Sequence, residues 1–362
     1  MNRKITKLKR TIVASITVSS LVFSGCSTTS SPNTQANEKE TDKIQIVCTT
    51  YPQYDWTKQL IGEENENIAL TYLLENGVDV HSYQPTAKDI ATIADSDLVI
   101  YVGGTSDGWV KEAVEQSNND EIKTISFFDV LGDDVKREEI IDGMEHDHSH
   151  EEDTHNHEED ESSHEELHNL EGDGHNHEVV EEQGEYDEHV WLSLKHAKTM
   201  VETIEQELEA LDMEHASIYK ENCQRYIEKL DQLDKQYEEV VSTAKRKTVL
   251  FADRFPFRYL VDDYGLEYYA AFPGCSADTE ASFETIIYLA ERIKEEKLPV
   301  VLVLENSDTK VASTVISNTK EKKEQILTMN SIQSVSAREI EEGFSYLSTM
   351  EKNLEVLKQA LN

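Results

Sequence analysis

The strongest constraint on this chain is a stretch that cannot pack. From Met144 to Glu188 there are nineteen acidic residues, nine of the chain's thirteen histidines and no Lys or Arg. With almost nothing apolar to bury, such a stretch cannot offset the conformational entropy that a packed element gives up. The sequence therefore predicts a disordered, solvated His/acidic loop over 144–186, with the core built from the chain on either side. A length of 362 residues leaves room there for two ordinary domains.

Both flanks carry one rhythm. Apolar runs at Ile44 to Cys48, Ile68 to Leu73, Leu98 to Val102 and Ile122 to Phe127 alternate with helix-like stretches. A second set occupies Thr248 to Ala252, Glu267 to Ala271, Pro299 to Leu304 and, less sharply, Gln325 to Met329. Short apolar runs separated by helical lengths read as βαβ units with strands buried on both faces. The expected fold is α/β: two lobes, 43–213 and 244–362, each a mostly parallel sheet flanked by helices. Between them Tyr219, Cys223, Tyr226, Leu230, Leu233, Tyr237 and Val240 recur at spacings of four and three. That stripe predicts one long rigid connecting helix over 214–243, and Ala337 to Leu361 reads as a closing helix.

Arg3, Lys4, Lys7, Lys9 and Arg10 precede the apolar run Thr11 to Phe23, and Ser24-Gly25-Cys26 follows. This reads as a secretory signal over 1–25, and its end resembles a bacterial lipobox. Cys26 is then the lipidated mature N-terminus, and the Ser/Thr/Asn-rich 26–42 segment a flexible tether. The protein is expected on the extracytoplasmic face of the cell membrane, lipid-anchored and monomeric. A formal charge of −39 argues against nucleic-acid binding. Cys48, Cys223 and Cys275 remain after cleavage, an odd number that leaves at least one thiol free. Cys48 and Cys223 fall on apolar faces and read as small buried hydrophobes.

Imidazole is a ready zinc ligand, and carboxylates around it raise the local cation concentration. His146, His148, His150, His155, His157, His164, His168, His175 and His177 are therefore expected to bind divalent ions as an auxiliary metal loop. His164-Glu165-Glu166-Leu167-His168 matches the pattern HExxH, but no apolar helix face surrounds it, so a metalloprotease is not expected. Two histidines outside the loop lie in ordered contexts. His81, in Gly77-Val78-Asp79-Val80-His81-Ser82-Tyr83-Gln84-Pro85, follows a strand where open α/β sheets bind ligands. His189, in Asp187-Glu188-His189-Val190-Trp191-Leu192, marks the return of order after the loop.

Those two segments, with Tyr101-Val102-Gly103-Gly104-Thr105-Ser106-Asp107-Gly108-Trp109-Val110 and Tyr264-Gly265-Leu266, resemble the zinc and manganese solute-binding lipoproteins of ABC transporters, and especially the zinc-receptor branch. The resemblance covers the chain from about Lys43 onward. It implies a receptor that captures Zn²⁺ between its lobes and delivers it to a permease with its ATPase subunit, without catalysis and with small local motions on loading. His81 and His189 are then metal ligands from the first lobe. The second lobe departs from the family pattern: Arg254 stands where relatives place His or Glu, and Asn330 where many have Asp. Cys275, Asp253, Glu305 and Asn330 are the candidates for the remaining ligands, while Trp191 and Tyr83 are expected to pack around the site. Rival readings are a manganese receptor, an extracellular zinc buffer or adhesin without a permease, and a metallohydrolase.

Overall fold

The computed structural model describes residues 43–62, 65–117, 119–145, 185–276 and 280–362. The signal, the tether and all nine histidines of the acidic loop lie outside them. The described residues form one compact unit.

The first lobe alternates β1 (Ile44–Cys48), α1 (Tyr51–Ile61), β2 (Ile68–Tyr72), α2 (Ala87–Ala94), β3 (Leu98–Tyr101), α3 (Trp109–Gln116), β4 (Lys123–Ser126) and α4 (Phe127–Leu131). After the insertion, α5 (Leu194–Leu211) returns along the lobe and α6 (Ala216–Thr243) leads out of it. The second lobe repeats the alternation with β5 (Thr248–Phe255), α7 (Arg258–Tyr264), β6 (Glu267–Pro273), α8 (Phe283–Glu296), β7 (Val300–Val303), α9 (Lys310–Asn318) and β8 (Gln325–Thr328). Two helices, α10 (Ala337–Glu341) and α11 (Tyr346–Ala360), close the chain.

Each lobe holds one four-stranded parallel sheet, ordered β2-β1-β3-β4 and β6-β5-β7-β8. Ile46 pairs with Leu70 and Leu98, and Phe251 with Ala270 and Leu302, so β1 and β5 are the matching central strands. Strand order reverses beside each of them, and loops beyond the carboxyl ends of such strands are where open α/β sheets bind ligands.

Alternation along the strands shows why the lobes do not separate. Phe251, Val300 and Leu302 join the buried cluster that also contains Ile46, Val99, Trp191 and the α6 stripe. Leu250, Val301 and Val303 point the other way, into a smaller cluster with Leu289 and Ala312 of α8 and α9. Helix α6 packs on α1 and α5 of the first lobe and on α7 and α11. It is a buried wall shared by both lobes, more than a strut, and its stripe ends on buried Val241 where the sequence suggested Val240.

The tail departs from the single helix expected over Ala337 to Leu361. Gly343 adopts φ +91° and breaks it. Ser336 opens α10 with a capping box, and Ser345 restarts the chain as the N-cap of α11, accepting from the Ser348 amide. The break lets α11 cross to the first lobe, where the Tyr346 amide donates to Asp55 (3.0 Å) and the Tyr51 hydroxyl to the Phe344 carbonyl (2.6 Å). Strands β5 and β6 also run beyond their apolar stretches, which places Asp253 and Arg254 inside β5.

Candidate metal centre

His81 sits in a single 3-10 turn, Val80–Ser82, whose N-cap Asp79 accepts from the His81 amide at 3.0 Å. His189 precedes another such turn, Val190–Leu192. Asp187 Oδ1 accepts from both the amide and Nδ1 of His189, each at 2.9 Å. Glu188 points the other way. Its Oε1 accepts from the Ser106 amide (2.7 Å), and its Oε2 lies 3.4 Å from His81 Nδ1, which is also 2.9 Å from Ser106 Oγ. Gly104 makes this possible, because a Cβ there would overlap the Glu188 carboxylate. Buried Asp107 braces the same loop by accepting from the Val102 and Gly103 amides and the Thr49 hydroxyl. Burial raises its pKa to about 6 in spite of those bonds.

An imidazole whose Nδ1–H is held by a carboxylate keeps its Nε2 lone pair for a metal. His189 has that arrangement, and His81 Nδ1 faces Ser106 and Glu188. The two Nε2 atoms lie 3.0 Å apart, and Gln333 Oε1 is 3.0 Å from His189 Nε2. The Gln333 amide is fixed in that sense because its Nε2 donates to Asp79 Oδ2 at 3.0 Å. Three acceptors facing one another this closely require a proton or a cation between them. Burial works against a charge on His189, yet the Asp187 carboxylate and Gln333 override it and raise its pKa above the ordinary imidazole value. A metal would displace that proton. Zinc–imidazole bonds of about 2.0–2.1 Å in tetrahedral geometry put two nitrogens about 3.3 Å apart, close to the spacing observed.

The second lobe supplies Cys275. The ligating atoms of His81, His189 and Cys275 all lie within 4.8 Å of one another, the one such group of His, Cys, Asp and Glu among the described residues. The turn after β6 places the thiol, and the Cys275 amide donates to Glu138 Oε1 at 2.7 Å. Burial, followed by the charges of Glu138 and Asp187, pushes the thiol pKa far up. Only a cation that bonds sulfur strongly enough to expel the proton would draw a thiolate from it.

The other candidates are turned to backbone. Asp253 accepts from the Arg254 and Leu304 amides, and Glu305 from the amide and hydroxyl of Ser331. Asn330 Oδ1 accepts from the Ile332 amide, and its carbonyl accepts from Asn353. The structure does not bring Asp253 or Glu305 into the His81, His189 and Cys275 group, and Asn330's oxygens serve a local turn and a contact with α11. Trp191 is fully buried and donates Nε1–H to the Ser331 carbonyl at 2.8 Å, while Tyr83 donates to Asp89. Cys48 and Cys223 are buried and free, and burial raises their thiols to about 12 and about 11.

Sequence reasoning missed Gln333, Glu138 and the part played by Asp79. Asp79 lay in plain view, two residues before His81. Gln333 and Glu138 belong to no local motif, and only tertiary packing brings them to the cleft.

The family described as zinc-uptake complex component A, periplasmic (ZnuA), matches residues 46–360. The zinc-binding lipoprotein AdcA of Streptococcus pneumoniae strain R6 is 34% identical over 332 residues, covering 90% of this chain and 57% of that protein. The chain thus spans a little over half the length of the first relatives it matches. The high-affinity zinc uptake system protein ZnuA of Bacillus subtilis is 30% identical and is covered over 88% of both chains. Among solved structures, the Zn(II)-bound ZnuA-like domain of S. pneumoniae AdcA superposes with a TM-score of 0.64 at 28% identity, covering 88% of this chain and 99% of that one. The B. subtilis metal-dependent lipoprotein YcdH gives 0.66 at 26% identity, over 88% of this chain and 100% of that one.

Proposed function

The chain belongs to the periplasmic zinc-uptake component A family, and on that footing we propose that it is a zinc receptor: it captures Zn²⁺ between its lobes and delivers it to an ABC permease driven by an ATPase subunit. The observation that carries this reading is the convergence of His81, His189 and Cys275, with each imidazole backed by a carboxylate on its Nδ1 side. Two nitrogens and one sulfur suit zinc better than manganese, which favours carboxylate and water oxygens. The shared core and the shared α6 wall support small local adjustments on loading, without a wide hinge closure.

In this reading the protein is held by lipid on Cys26 at the extracytoplasmic face of the membrane, as a monomer, and transforms no substrate. The histidines of the acidic insertion bind further divalent ions. Replacing His81 and His189 together by alanine tests it. The expected result is loss of one tight zinc equivalent per chain, while the weaker ions on the insertion remain. Retention of that tight equivalent would place the tight ion elsewhere and overturn the receptor reading of this cleft.

A further inference from the structure

We infer that Arg254 sets the metal preference of the cleft by holding the Asp79 carboxylate away from the ion. The inference rests on the reading of His81, His189 and Cys275 as the zinc ligands.

Arg254 reaches the cleft because β5 is irregular. Phe251 pairs with Ala270 and Arg254 with Phe272, so β5 spends three residues where β6 spends two. An extra residue at the end of a strand redirects the side chains that follow it. The guanidinium of Arg254 then spans the cleft. Its NH2 donates to Asp79 Oδ2 at 2.6 Å and its NH1 to the Ser276 carbonyl at 3.3 Å. Asp79 is two residues from His81 and Ser276 is next to Cys275, so one side chain ties together the loops bearing a nitrogen and a sulfur ligand.

Asp79 is thereby fully engaged. Oδ2 accepts from Arg254 and from Gln333 Nε2, and Oδ1 accepts from the His81 amide. The Gln333 amide bridges this carboxylate to His189 Nε2, so Asp79 stands one amide group away from a proposed ligand atom. The carboxylates of Asp187 and Glu188 already face the Nδ1 sides of the two imidazoles. Asp79 is a carboxylate that the cleft could offer as a further hard oxygen donor, and Arg254 withholds it. Carboxylate oxygen is what Mn²⁺ prefers, whereas imidazole and thiolate favour Zn²⁺. A lysine could neutralise Asp79 as a point charge but could not hold it and Ser276 with one rigid fork.

The test uses the full chain loaded with Co²⁺. Thiolate-to-cobalt charge-transfer absorption reports the ion on Cys275 and is silent to ions held by the insertion's imidazoles. Zn²⁺ and, separately, Mn²⁺ are titrated in until the band halves, and the ratio of the two concentrations measures preference at this site. Arg254→Ala is expected to shift the ratio toward Mn²⁺ by at least about tenfold. Adding Asp79→Asn to it should restore the wild-type ratio, and Arg254→Lys should fall between. A merely structural role would weaken both metals alike. An Arg254→Ala ratio within about threefold of wild type, or one that Asp79→Asn fails to reverse, overturns the inference. If Arg254→Ala does not fold, Arg254→Gln removes the charge while keeping an unbranched polar side chain too short to span the cleft as the guanidinium does. A band that is absent from the wild type, or that survives Cys275→Ser, overturns the ligand reading itself. A normal band with an unmoved ratio overturns the inference alone.

Discussion

The first lobe brings two imidazoles to the cleft with their Nδ1 sides already facing carboxylates, whereas the second brings a guanidinium from the end of β5 and a thiol and an amide from the chain after β6 and β8. The first wall is organised by local sequence. Asp187, Glu188 and His189 are consecutive, and Asp79 caps the turn that carries His81. The second wall is organised by packing: β5 must bulge, β6 must run on to Pro273, and the chain beyond β8 must fold back under Trp191. Ligands preset by their neighbours tolerate little change, while ligands assembled by tertiary contacts can be exchanged. On that difference, substitutions should be tolerated more readily in the second wall than in the first.

The largest expected effect falls on the first wall. His189→Ala removes a fully buried proposed ligand and takes the imidazole donor from Asp187, which keeps only the backbone amide of that residue. Zinc affinity, measured in competition with a chelator, should fall by more than about a hundredfold. Cys275→Ser should cost less, about tenfold to a hundredfold, because the native thiol must first give up a tightly held proton. If Cys275→Ser proved the more damaging change, the ranking of the two walls would be reversed.

Smaller losses should come from the groups that orient the imidazoles. Asp187→Asn keeps the shape but not the charge, and about a tenfold loss of zinc affinity is expected from isothermal titration. Acidification should act in the same direction. The folded-state pKa of His189 is raised, so its proton helps hold the zinc-free fold at low pH, and that contribution is lost as pH rises through the folded value. Zinc competes with the same proton. Binding should therefore weaken steadily as pH is lowered from about 7.5 to about 5.5, with proton release visible in a weakly buffered titration. A pH-independent affinity would place the ion elsewhere.

The smallest effect concerns the core that joins the walls. The hydroxyl of buried Tyr346 donates to the Trp191 carbonyl at 2.6 Å, and Tyr346→Phe should cost about 1 kcal/mol in urea unfolding. It should leave zinc affinity unchanged, since the hydroxyl touches no proposed ligand.

The fold was largely legible because buried parallel strands and an amphipathic helix each carry a period in the sequence. All eight apolar runs became strands, and Tyr219 to Tyr237 line the buried face of α6. The tail was misjudged because one glycine at positive φ outweighed a continuous helical pattern. In the cleft, His81 and His189 stand in motifs that a reader of sequence can find. Cys275 could be ranked only by chemistry. Asp253, Glu305 and Asn330 were plausible because each lies at or just after a strand's end, and nothing in the sequence revealed that their oxygens serve backbone amides. Gln333 was invisible, as a neutral amide in a loop advertises no ligand chemistry until the fold sets it beside an imidazole.

The central claim is that one cation lies where the two imidazoles and the thiol converge. Anomalous diffraction collected on both sides of the zinc absorption edge, from crystals of the protein given one equivalent of zinc, tests it most directly. The account predicts a single strong peak bonded to His81 Nε2, His189 Nε2 and Cys275 Sγ. A principal peak beside Asp253 or Glu305, or one that lacks the sulfur, would contradict it.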